Sequence, residues 1–415
     1  MIVYTDFGTC FLHWKITLVH VIINYLNSTI EKNDTERHNM NLKITDVPAE
    51  MIEIGKQIVS EKKYLYTDEE LENLRHYFTV FGGDYASSDD FIYQYIYDHW
   101  MYGVNSEEEH TYRFKNKTHA EKEEYVTWDN RFQYYAVLNN KKDIHILDNK
   151  YEAYLKLKKY YKREAILVSD KEDLKLFRDF VKKHGRVIVK PVNLYLTIGL
   201  RWLNADEITD YGALLDELIE SAKELAKIDS GSISKPAVIV EELIEDNPTM
   251  PSFNPEMLSM IRCTTVLAHG KVEFFYPALR TFGNIVRNQQ QIDYEKTEVF
   301  FAAIDKKSGL ITSDGYNYFG DLVEKHSCSG QVFKETQLPE WDKLLEMLTA
   351  AALELPSLRY IGWDVAYSKN GWCIIEGNQD GEFFSQMVFG HGFKREFEKL
   401  IYWKISDQLW KHPML

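Results

Sequence analysis

The sequence has few cysteines, and their spacing is informative. Its 415 residues contain four of them, at Cys10, Cys263, Cys328 and Cys373. They show neither the paired spacing of a zinc site nor the density of a disulfide framework, so neither class of protein is indicated. We expect these cysteines to be buried as small hydrophobic side chains.

A long uncharged apolar run is also missing. The most apolar stretch, residues 11–26, carries His13, Lys15, His20 and Asn24, whereas a spanning helix needs about 20 nearly uncharged residues. The start of the chain lacks the basic segment and the small-residue cleavage site of a secretory signal. We therefore predict no transmembrane segment and a cytoplasmic protein, with this stretch as a core or interface helix. Peripheral membrane contact stays open.

An excess of basic residues is absent as well. The chain has 49 Lys and Arg against 64 Asp and Glu, a formal net charge of −15. A nucleic acid would be repelled on average, although a local basic pocket for phosphates remains compatible with this charge. Hydrophobic residues at 45% and charged residues at 27% are typical of globular domains, and the length suggests two or three of them.

The first part of the chain, residues 1–142, is predicted to be mainly helical and rich in aromatic residues. Thr67 followed three residues later by Glu70 is a capping box, which marks the start of a helix. We interpret the aromatic run from Tyr93 to Tyr102 as core and not as a binding surface. The segment from Ser106 to Glu124 is dense in charge, so we predict a solvated connection or an exposed helix there.

From residue 143 onwards, short apolar runs alternate with amphipathic helices. Helices are predicted from Tyr151, over 171–184 and over 211–228, and Gly185 ends the second one because glycine adopts the left-handed conformation that closes a helix. The predicted strands are residues 144–147, 165–168, 187–191, 237–241, 260–268, 271–280, 299–304, 365–368 and 372–376. This order indicates an α+β domain with a largely antiparallel sheet.

The last two strands carry a cluster of carboxylates and an amide. Asn370-Gly371 is a strong signal for a hairpin turn because both residues tolerate positive φ. Asp364 and Glu376 are twelve residues apart across that turn, so they can lie on adjacent strands with both side chains on one face. Asn378 points the same way. These oxygens suit Mg²⁺, and the alternative is a surface hairpin with solvated acids.

Two lysines are candidates for binding phosphates. Lys190 closes an apolar strand next to Pro191, which would hold its ammonium as a fixed point charge. Lys150 stands at the start of a helix after another short apolar run, where a second cation would meet the same anion. Either lysine alone could equally be a solvated surface charge.

The strand ending at Glu241 is a candidate for the wall of a purine site. A purine slot needs apolar walls, backbone groups for its pairing edge and one acceptor for the exocyclic amine. Glu241 can accept from that amine, and the backbone at Glu242 and Leu243 can pair with the ring. We therefore expect this segment to contact adenine.

Taken together, these segments resemble the ATP-grasp superfamily, and most closely its sugar-transfer-associated family. The similarity extends from about Tyr66 to Gly392, and its ordered motifs are more specific than any one of them. The matching segments are 148–150, 187–191, 240–244, 254–255, 260–264, 359–364 and 376–378.

The resemblance implies an ATP-grasp fold, in which two α+β subdomains, residues 143–242 and 243–415, clasp ATP. It also implies particular roles within that fold. Lys150 and Lys190 would bind the α and β phosphates of ATP, and Glu241, Glu242 and Leu243 would bind adenine. Mg²⁺ would be held by Asp364, Glu376 and Asn378.

The loop after Lys190 departs from that family pattern. It is usually rich in glycine and serine, so that backbone N–H groups approach the phosphates, but here it has a single glycine, Gly199. Phosphate contacts would then shift to Asn193 or Thr197, and a slow or non-catalytic site stays open.

Arginines on or after successive strands are the candidates for transition-state charge. Arg280 and Arg287 would face the γ-phosphate and an acyl phosphate, while Arg262 would anchor a substrate carboxylate through two hydrogen bonds. For each of them, a surface or interdomain ion pair is the alternative.

Together these features predict an ATP-dependent carboxylate–amine ligase that forms an amide through an acyl phosphate. Its small-molecule substrates would be a sugar acid or amino acid and an amine for surface polysaccharide biosynthesis, a context that only the family suggests. The alternatives are an ATP-grasp kinase and a nucleotide-binding module without turnover. The oligomeric state is open.

Overall fold

Helices come first along the chain, and two larger antiparallel sheets and the two-stranded sheet of Arg287–Asn288 and Gln291–Ile292 follow them. The computed structural model describes residues 43–81, 88–194, 199–226, 236–254, 256–288, 291–292, 296–317 and 321–403. The predicted helix over 11–26, Cys10 and Thr197 lie outside these residues.

The helices and strands have the following bounds. The helices are α1 (Pro48–Glu61), α2 (Asp68–Phe81), α3 (Asp89–Tyr102), α4 (Ser106–Thr111), α5 (His119–Lys122), α6 (Trp128–Leu138), α7 (His145–Asp148), α8 (Lys150–Tyr161), α9 (Leu174–His184), α10 (Tyr211–Ala226), α11 (Trp341–Leu353), α12 (Ser385–Phe389) and α13 (Lys394–Ile401). The strands are β1 (Ala165–Val168), β2 (Arg186–Pro191), β3 (Arg201–Asn204), β4 (Val238–Glu242), β5 (Met260–Ala268), β6 (Lys271–Phe282), β7 (Arg287–Asn288), β8 (Gln291–Ile292), β9 (Val299–Ala303), β10 (Gly315–Asn317), β11 (Leu322–Val323), β12 (Tyr360–Ser368) and β13 (Gly371–Asn378).

The N-terminal helices confirm two of the sequence predictions. The hydroxyl of Thr67 accepts a hydrogen bond of 3.2 Å from the backbone N–H of Glu70 at the start of α2. The predicted aromatic core falls on α3, where Tyr95, Tyr97, Trp100 and Tyr102 are buried. Aromatic packing therefore supplies much of the core between these helices.

The predicted solvated segment from Ser106 to Glu124 is wrong in part, because several of its charges are buried. Glu108 and Glu109 on α4 are buried, and so is Lys122 at the end of α5. The Lys122 Nζ lies 2.7 Å from an oxygen of Asp98 on α3. Pairing inside the protein replaces solvation for this lysine, and such pairing leaves no local pattern in the sequence.

The strand predicted over 144–147 is also wrong. The segment forms the short helix α7, and Leu147 is its buried residue. Its backbone N–H donates to the carbonyl of Ile144 at 3.0 Å, as in a helical turn. A four-residue apolar run is ambiguous between strand and helix until a neighbouring strand is available to pair with it.

The smaller sheet has the order β1-β4-β2-β3, with antiparallel pairing throughout. It packs against α9 and α10 through a cluster that includes Phe177, Val181, Leu215 and Leu218. Gly185 closes α9 with a φ of 71°, a left-handed conformation that favours glycine. The predicted strands and helices of this region are thereby confirmed, apart from 227–228, which lie outside the described residues.

The larger sheet has the order β11-β10-β9-β6-β5-β12-β13, and its pairs are antiparallel. One face packs on α8 and α11 through residues such as Ile261, Leu279 and Trp363. The opposite face meets the N-terminal helices through Ala278, Phe301 and other residues. Side chains alternate between the faces of a strand, so Arg262, Arg280 and Asp364 are placed on this second face.

Three cysteines fall within the described residues. Cys263 and Cys373 are buried, as predicted, whereas Cys328 is exposed. For Cys328 the prediction of burial is therefore wrong.

Within the residues that the structure covers, every helix is too short or too polar to cross a lipid bilayer.

Candidate active site

A cleft lies between the smaller sheet and the end of the last hairpin. Its volume is about 370 Å³ including space open to solvent, and its walls carry both predicted lysines and two of the three predicted metal ligands. The lining residues are Leu147, Lys150, Ala153, Tyr161, Lys190, Glu241, Ile375, Glu376, Gly377 and Asn378. Residues from α8, β2, β4 and β13 thus converge on one space, as the sequence spacing suggested.

Lys150 is placed by the cap of its own helix. The Asn149 side chain accepts hydrogen bonds from the backbone N–H groups of Tyr151 and Glu152, which begins α8 and sets Lys150 at its first turn. The Lys150 Nζ donates to the carbonyl of Leu194 at 2.5 Å and lies 4.0 Å from the Glu376 carboxylate. Burial lowers the pKa of Lys150, so its ammonium is held in the cleft under partial desolvation.

Glu241 forms ion pairs with two cations. Its two carboxylate oxygens lie 2.7 Å from Arg163 Nη2 and 2.7 Å from Lys190 Nζ. Burial alone would raise the pKa of Glu241, but these two charges lower it to about 2. The residue is thus an anion that orients Lys190, and an adenine amine would have to share an oxygen that already faces a cation.

Arg163 also joins the two sheets. Its guanidinium donates to the carbonyls of Ile374 at 2.6 Å and Ile375 at 3.0 Å on β13, besides pairing with Glu241 on β4. Nothing in its sequence neighbourhood distinguishes Arg163 from a surface charge, and sequence reasoning missed it. Pairing between elements far apart in sequence gives it its role.

The hairpin prediction is confirmed by the strand register. Asp364 pairs with Glu376, and Gly362 pairs with Asn378, across β12 and β13. The two carboxylates and the amide therefore share one face of the sheet. The Asn378 side-chain amide also donates to the Gly362 carbonyl at 3.4 Å.

Arg262 meets Asp364 through two hydrogen bonds. Arg262 on β5 is the register partner of Asp364, and its Nε and Nη2 lie 2.6 Å and 3.1 Å from the two carboxylate oxygens. The predicted bidentate arginine thus binds a carboxylate of the protein itself in this structure. Burial raises the pKa of Asp364 despite the charge of Arg262, whereas for Glu376 the charges of Lys150, Lys190 and Arg262 outweigh burial and lower the pKa.

Arg280 lies one strand further along the same face. It is the register partner of Met260 and of Phe301, and its charge acts on the Asp364 carboxyl. Its buried Nε atom has no hydrogen-bond partner among the residues that the structure describes. A buried guanidinium nitrogen without a partner is a candidate donor for a bound anion.

The remaining predicted residues are placed less fully. Arg287 begins β7, but its side chain lies outside the described part of the molecule. Asn193 stands in the turn after β2, and Leu243 follows β4 directly. The backbone N–H of Glu242 donates to the Glu164 carbonyl at 2.9 Å, so that group already has a partner.

The loop after β13 folds back over the hairpin. Gly381 and Gly362 approach so closely that a Cβ on Gly381 would lie 2.8 Å from the Cα of Gly362. The Gly381 carbonyl accepts hydrogen bonds from Tyr135 at 2.7 Å and Tyr360 at 2.6 Å. Since Tyr135 lies on α6, this loop fixes the helical part of the chain beside Arg262.

Comparison with known protein families identifies the family of this chain. A family model described as sugar-transfer associated ATP-grasp matches residues 129–400. The chain belongs to this family. Its fold is accordingly the ATP-grasp fold, preceded by a helical N-terminal region. The match begins at residue 129, whereas the sequence similarity was expected to begin at about Tyr66.

Solved structures give a weaker similarity. The ATP-grasp ligase PsnB with its minimal precursor aligns at 16% identity and a TM-score of 0.33, over 67% of this chain and 63% of that one. D-alanyl-alanine synthetase A from Vibrio cholerae aligns at 13% identity and a TM-score of 0.37, over 63% and 62% of the two chains. D-alanine–D-alanine ligase from Bacillus anthracis with ATP aligns at 12% identity and a TM-score of 0.38, over 64% and 68%.

The alignments cover less than two thirds of the length of the first two of these structures. No curated protein matches the chain.

Proposed function

We propose that this protein is an ATP-dependent carboxylate–amine ligase that forms an amide through an acyl phosphate. The supporting observation is that Lys150, Lys190, Glu376 and Asn378 line one cleft, with Arg262 and Arg280 on the same sheet face as Asp364. Cations and hard oxygen donors in one place suit phosphoryl transfer, in which a protein mainly positions reactants and offsets negative charge.

The residues of the cleft have separate parts in this proposal. Lys150 and Lys190 hold the α and β phosphates, and Glu241 orients Lys190. The adenine would lie against the end of β4 at Glu242 and Leu243. Asn193 would contact the phosphates, as would Thr197 by its sequence position alone. Arg280 would bind the γ-phosphate and the acyl phosphate, and the sequence proposes Arg287 for the same role.

The proposed reaction has two steps. A carboxylate oxygen of the acid attacks the γ-phosphorus of ATP. The bond between that phosphorus and the oxygen bridging to the β-phosphate breaks, and ADP leaves with the electron pair. The amine nitrogen next attacks the carbonyl carbon of the acyl phosphate, inorganic phosphate leaves, and the nitrogen loses a proton. Arg280 and Arg287 would stabilise the charge that develops on the transferred group, and Arg262 would anchor the substrate carboxylate.

The donor set fits Mg²⁺. In the part of the chain that the structure describes, no group of three His, Cys, Asp or Glu side chains could hold a metal ion. Mg²⁺ usually takes one or two carboxylates and completes its shell with phosphates and water, and here Glu376 and Asn378 would hold it with Asp364 beside them. When bound, the ion would supply positive charge to the ATP phosphates.

A trapping experiment tests the reaction class. With ATP, Mg²⁺ and a panel of sugar acids and amino acids, hydroxylamine should intercept the activated acid as a hydroxamate, and ADP release should depend on the acid. A stable phosphoester without hydroxamate would indicate a kinase instead. Release of AMP and pyrophosphate would contradict the acyl-phosphate route.

One contact favours a second candidate, a nucleotide-binding module without turnover. Both oxygens of Asp364 are occupied by Arg262, and the phosphate loop is poor in glycine. ATP binding by calorimetry with no ADP release across the whole panel would support this candidate. The context of surface polysaccharide biosynthesis rests on the family description alone.

A further inference from the structure

A second pocket lies between the N-terminal helices and the loop after β13. Its volume is about 410 Å³ including space open to solvent. Glu108 from α4, Arg131 from α6, Phe301 from β9, and Glu382 and Phe384 from the loop contribute to its walls. We call this space the helix-side pocket, and none of its residues was a predicted site residue.

The helix-side pocket adjoins the arginines of the proposed ligase site. Phe384 packs under the guanidinium of Arg262, with 5.5 Å between that group and the ring centroid. Phe301 is the cross-strand partner of Arg280. A molecule in this pocket would therefore lie next to the face that carries Arg262, Arg280 and Asp364.

Arg131 is the central group of the pocket. It is 5% exposed, and its guanidinium stacks on Trp128 with 3.8 Å to the ring centroid. Its contacts with Glu382 are long, 3.4 Å from Nη1 and 3.5 Å from Nη2. The carboxyl groups of Glu382, Glu108 and Asp380 also act on Arg131. Its buried Nε has no hydrogen-bond partner within the described part of the chain, so this atom can still donate to a bound carboxylate.

The pocket also offers the Glu382 carboxylate, a second carboxyl group on Glu108, and an apolar wall. The Glu382 side chain is 46% exposed at the pocket edge. Glu108 is fixed deeper inside, where one of its oxygens accepts from the backbone N–H groups of Asn105 at 3.2 Å and Trp128 at 2.8 Å. The rings of Phe301 and Phe384 pack at 5.2 Å between centroids and supply an apolar surface.

We infer that the helix-side pocket is the acceptor subsite, and that it binds a zwitterionic α-amino acid or a closely similar amino-carboxylate. Arg131 receives the carboxylate, Glu382 receives the ammonium group, and Phe301 with Phe384 contacts the carbon skeleton. A plain amine would leave the Nε of Arg131 without a partner, and a plain anion would face the Glu382 carboxylate. The role of acceptor rests on the proposed ligase function, whereas amino-acid binding in the pocket does not depend on it.

Binding can therefore be measured without turnover. Each of the twenty L-amino acids would be titrated into the full chain by calorimetry in the absence of ATP, followed by the N-acetyl and the amide derivative of any that bind. The pocket predicts that at least one free amino acid binds and that removal of either charge weakens it at least tenfold. A ligand that binds equally well after acetylation and amidation would overturn the inference.

Two variants and one control locate the site. Arg131→Met and Glu382→Gln should each weaken the amino acid at least tenfold, and Arg201→Met, which removes a surface arginine paired with Glu217 on α10, should change it less than twofold. If Arg131→Met does not fold, Glu382→Gln still tests the site, because Glu382 lies at the exposed edge of the pocket and its substitution should leave the fold intact. Absence of binding in the wild type, or unchanged binding in Glu382→Gln with a folded protein, would overturn the inference. Hydroxylamine trapping reports separately on the ligase reaction, so the two proposals can fail independently.

Discussion

Two buried glutamates of this protein have opposite surroundings. Glu241 in the cleft has a cation 2.7 Å from each oxygen, and its pKa falls to about 2. Glu108 in the helix-side pocket accepts backbone N–H bonds, and burial raises its pKa to about 8 despite the charge of Arg131. The first carboxylate lies between two cations, whereas the second is held by backbone N–H groups. The buried Nε of Arg163 and that of Arg131 both lack a hydrogen-bond partner among the described residues.

The same substitution at both glutamates should therefore have opposite effects, and the larger one is at Glu241. Glu241→Gln leaves Arg163 and Lys190 as buried charges without their anion, which should lower the free energy of unfolding by about 3–5 kcal/mol. Urea unfolding at pH 7 measures this. The control is Glu217→Gln, an exposed partner of Arg201, with about 0–1 kcal/mol. A loss at Glu241 no larger than the control would mean that the network is not structural.

The pH dependence of the wild type gives an independent check on Glu241. Since its pKa in the folded protein, about 2, lies below the ordinary value of 4.5, its stabilising contribution is present above pH 4.5 and is lost as the pH falls towards 2. Glu241→Gln should remove that part of the acid dependence. If the variant lost as much stability as the wild type between pH 4.5 and 2, the pairing of Glu241 with Arg163 and Lys190 would be contradicted.

The carboxylates proposed to act at the cleft can next be used to separate it from the helix-side pocket. Asp364→Asn together with Glu376→Gln should reduce ATP turnover at least 100-fold, or about 2.7 kcal/mol, while urea unfolding stays cooperative. Amino-acid binding in the helix-side pocket should persist in this variant. Turnover at the wild-type level would remove Asp364 and Glu376 from the site.

The lysines provide a smaller and more specific effect. Lys190→Ala and Lys150→Ala should each weaken ATP at least tenfold more than adenosine, because only the phosphates meet their charge. Calorimetry with both ligands measures the difference, and Lys183→Ala, an exposed partner of Glu164, is the control. Equal losses for ATP and adenosine would assign a structural role to the lysines.

The sequence predicted the cleft better than the pocket, for a physical reason. The hairpin of Asp364 and Glu376 follows from alternation, an Asn-Gly turn and a count of residues, all of which are local. Lys150 and Lys190 are marked by the ends of regular elements. Arg163 could not be predicted, because its role comes from carbonyls of β13 about 211 residues away.

The helix-side pocket shows where such reasoning stops. The charge density of residues 106–124 predicts a solvated Glu108, since a run of charges is usually exposed. Its burial depends on α6 and on the loop of Glu382, which is anchored by Tyr135 and by the contact between Gly381 and Gly362. Periodicity cannot predict a buried carboxyl group whose neighbours come from three distant segments.

The last prediction returns to Glu108, whose effect is smaller and opposite in sign to that of Glu241. Because its pKa of about 8 in the folded protein exceeds the ordinary 4.5, its contribution to stability is present below pH 4.5 and is lost as the pH rises towards 8. Linkage allows at most ~1.4 kcal/mol per pH unit.

Glu108→Gln keeps an oxygen for the N–H groups of Asn105 and Trp128 but has no proton to lose. We therefore expect Glu108→Gln to gain stability relative to wild type as the pH rises. The difference in free energy of unfolding, variant minus wild type, should be at least about 1 kcal/mol higher at pH 8 than at pH 5. Urea unfolding at both pH values measures it, with Glu217→Gln again as the control, and a difference that does not grow with pH would show that Glu108 is already ionised in the folded protein.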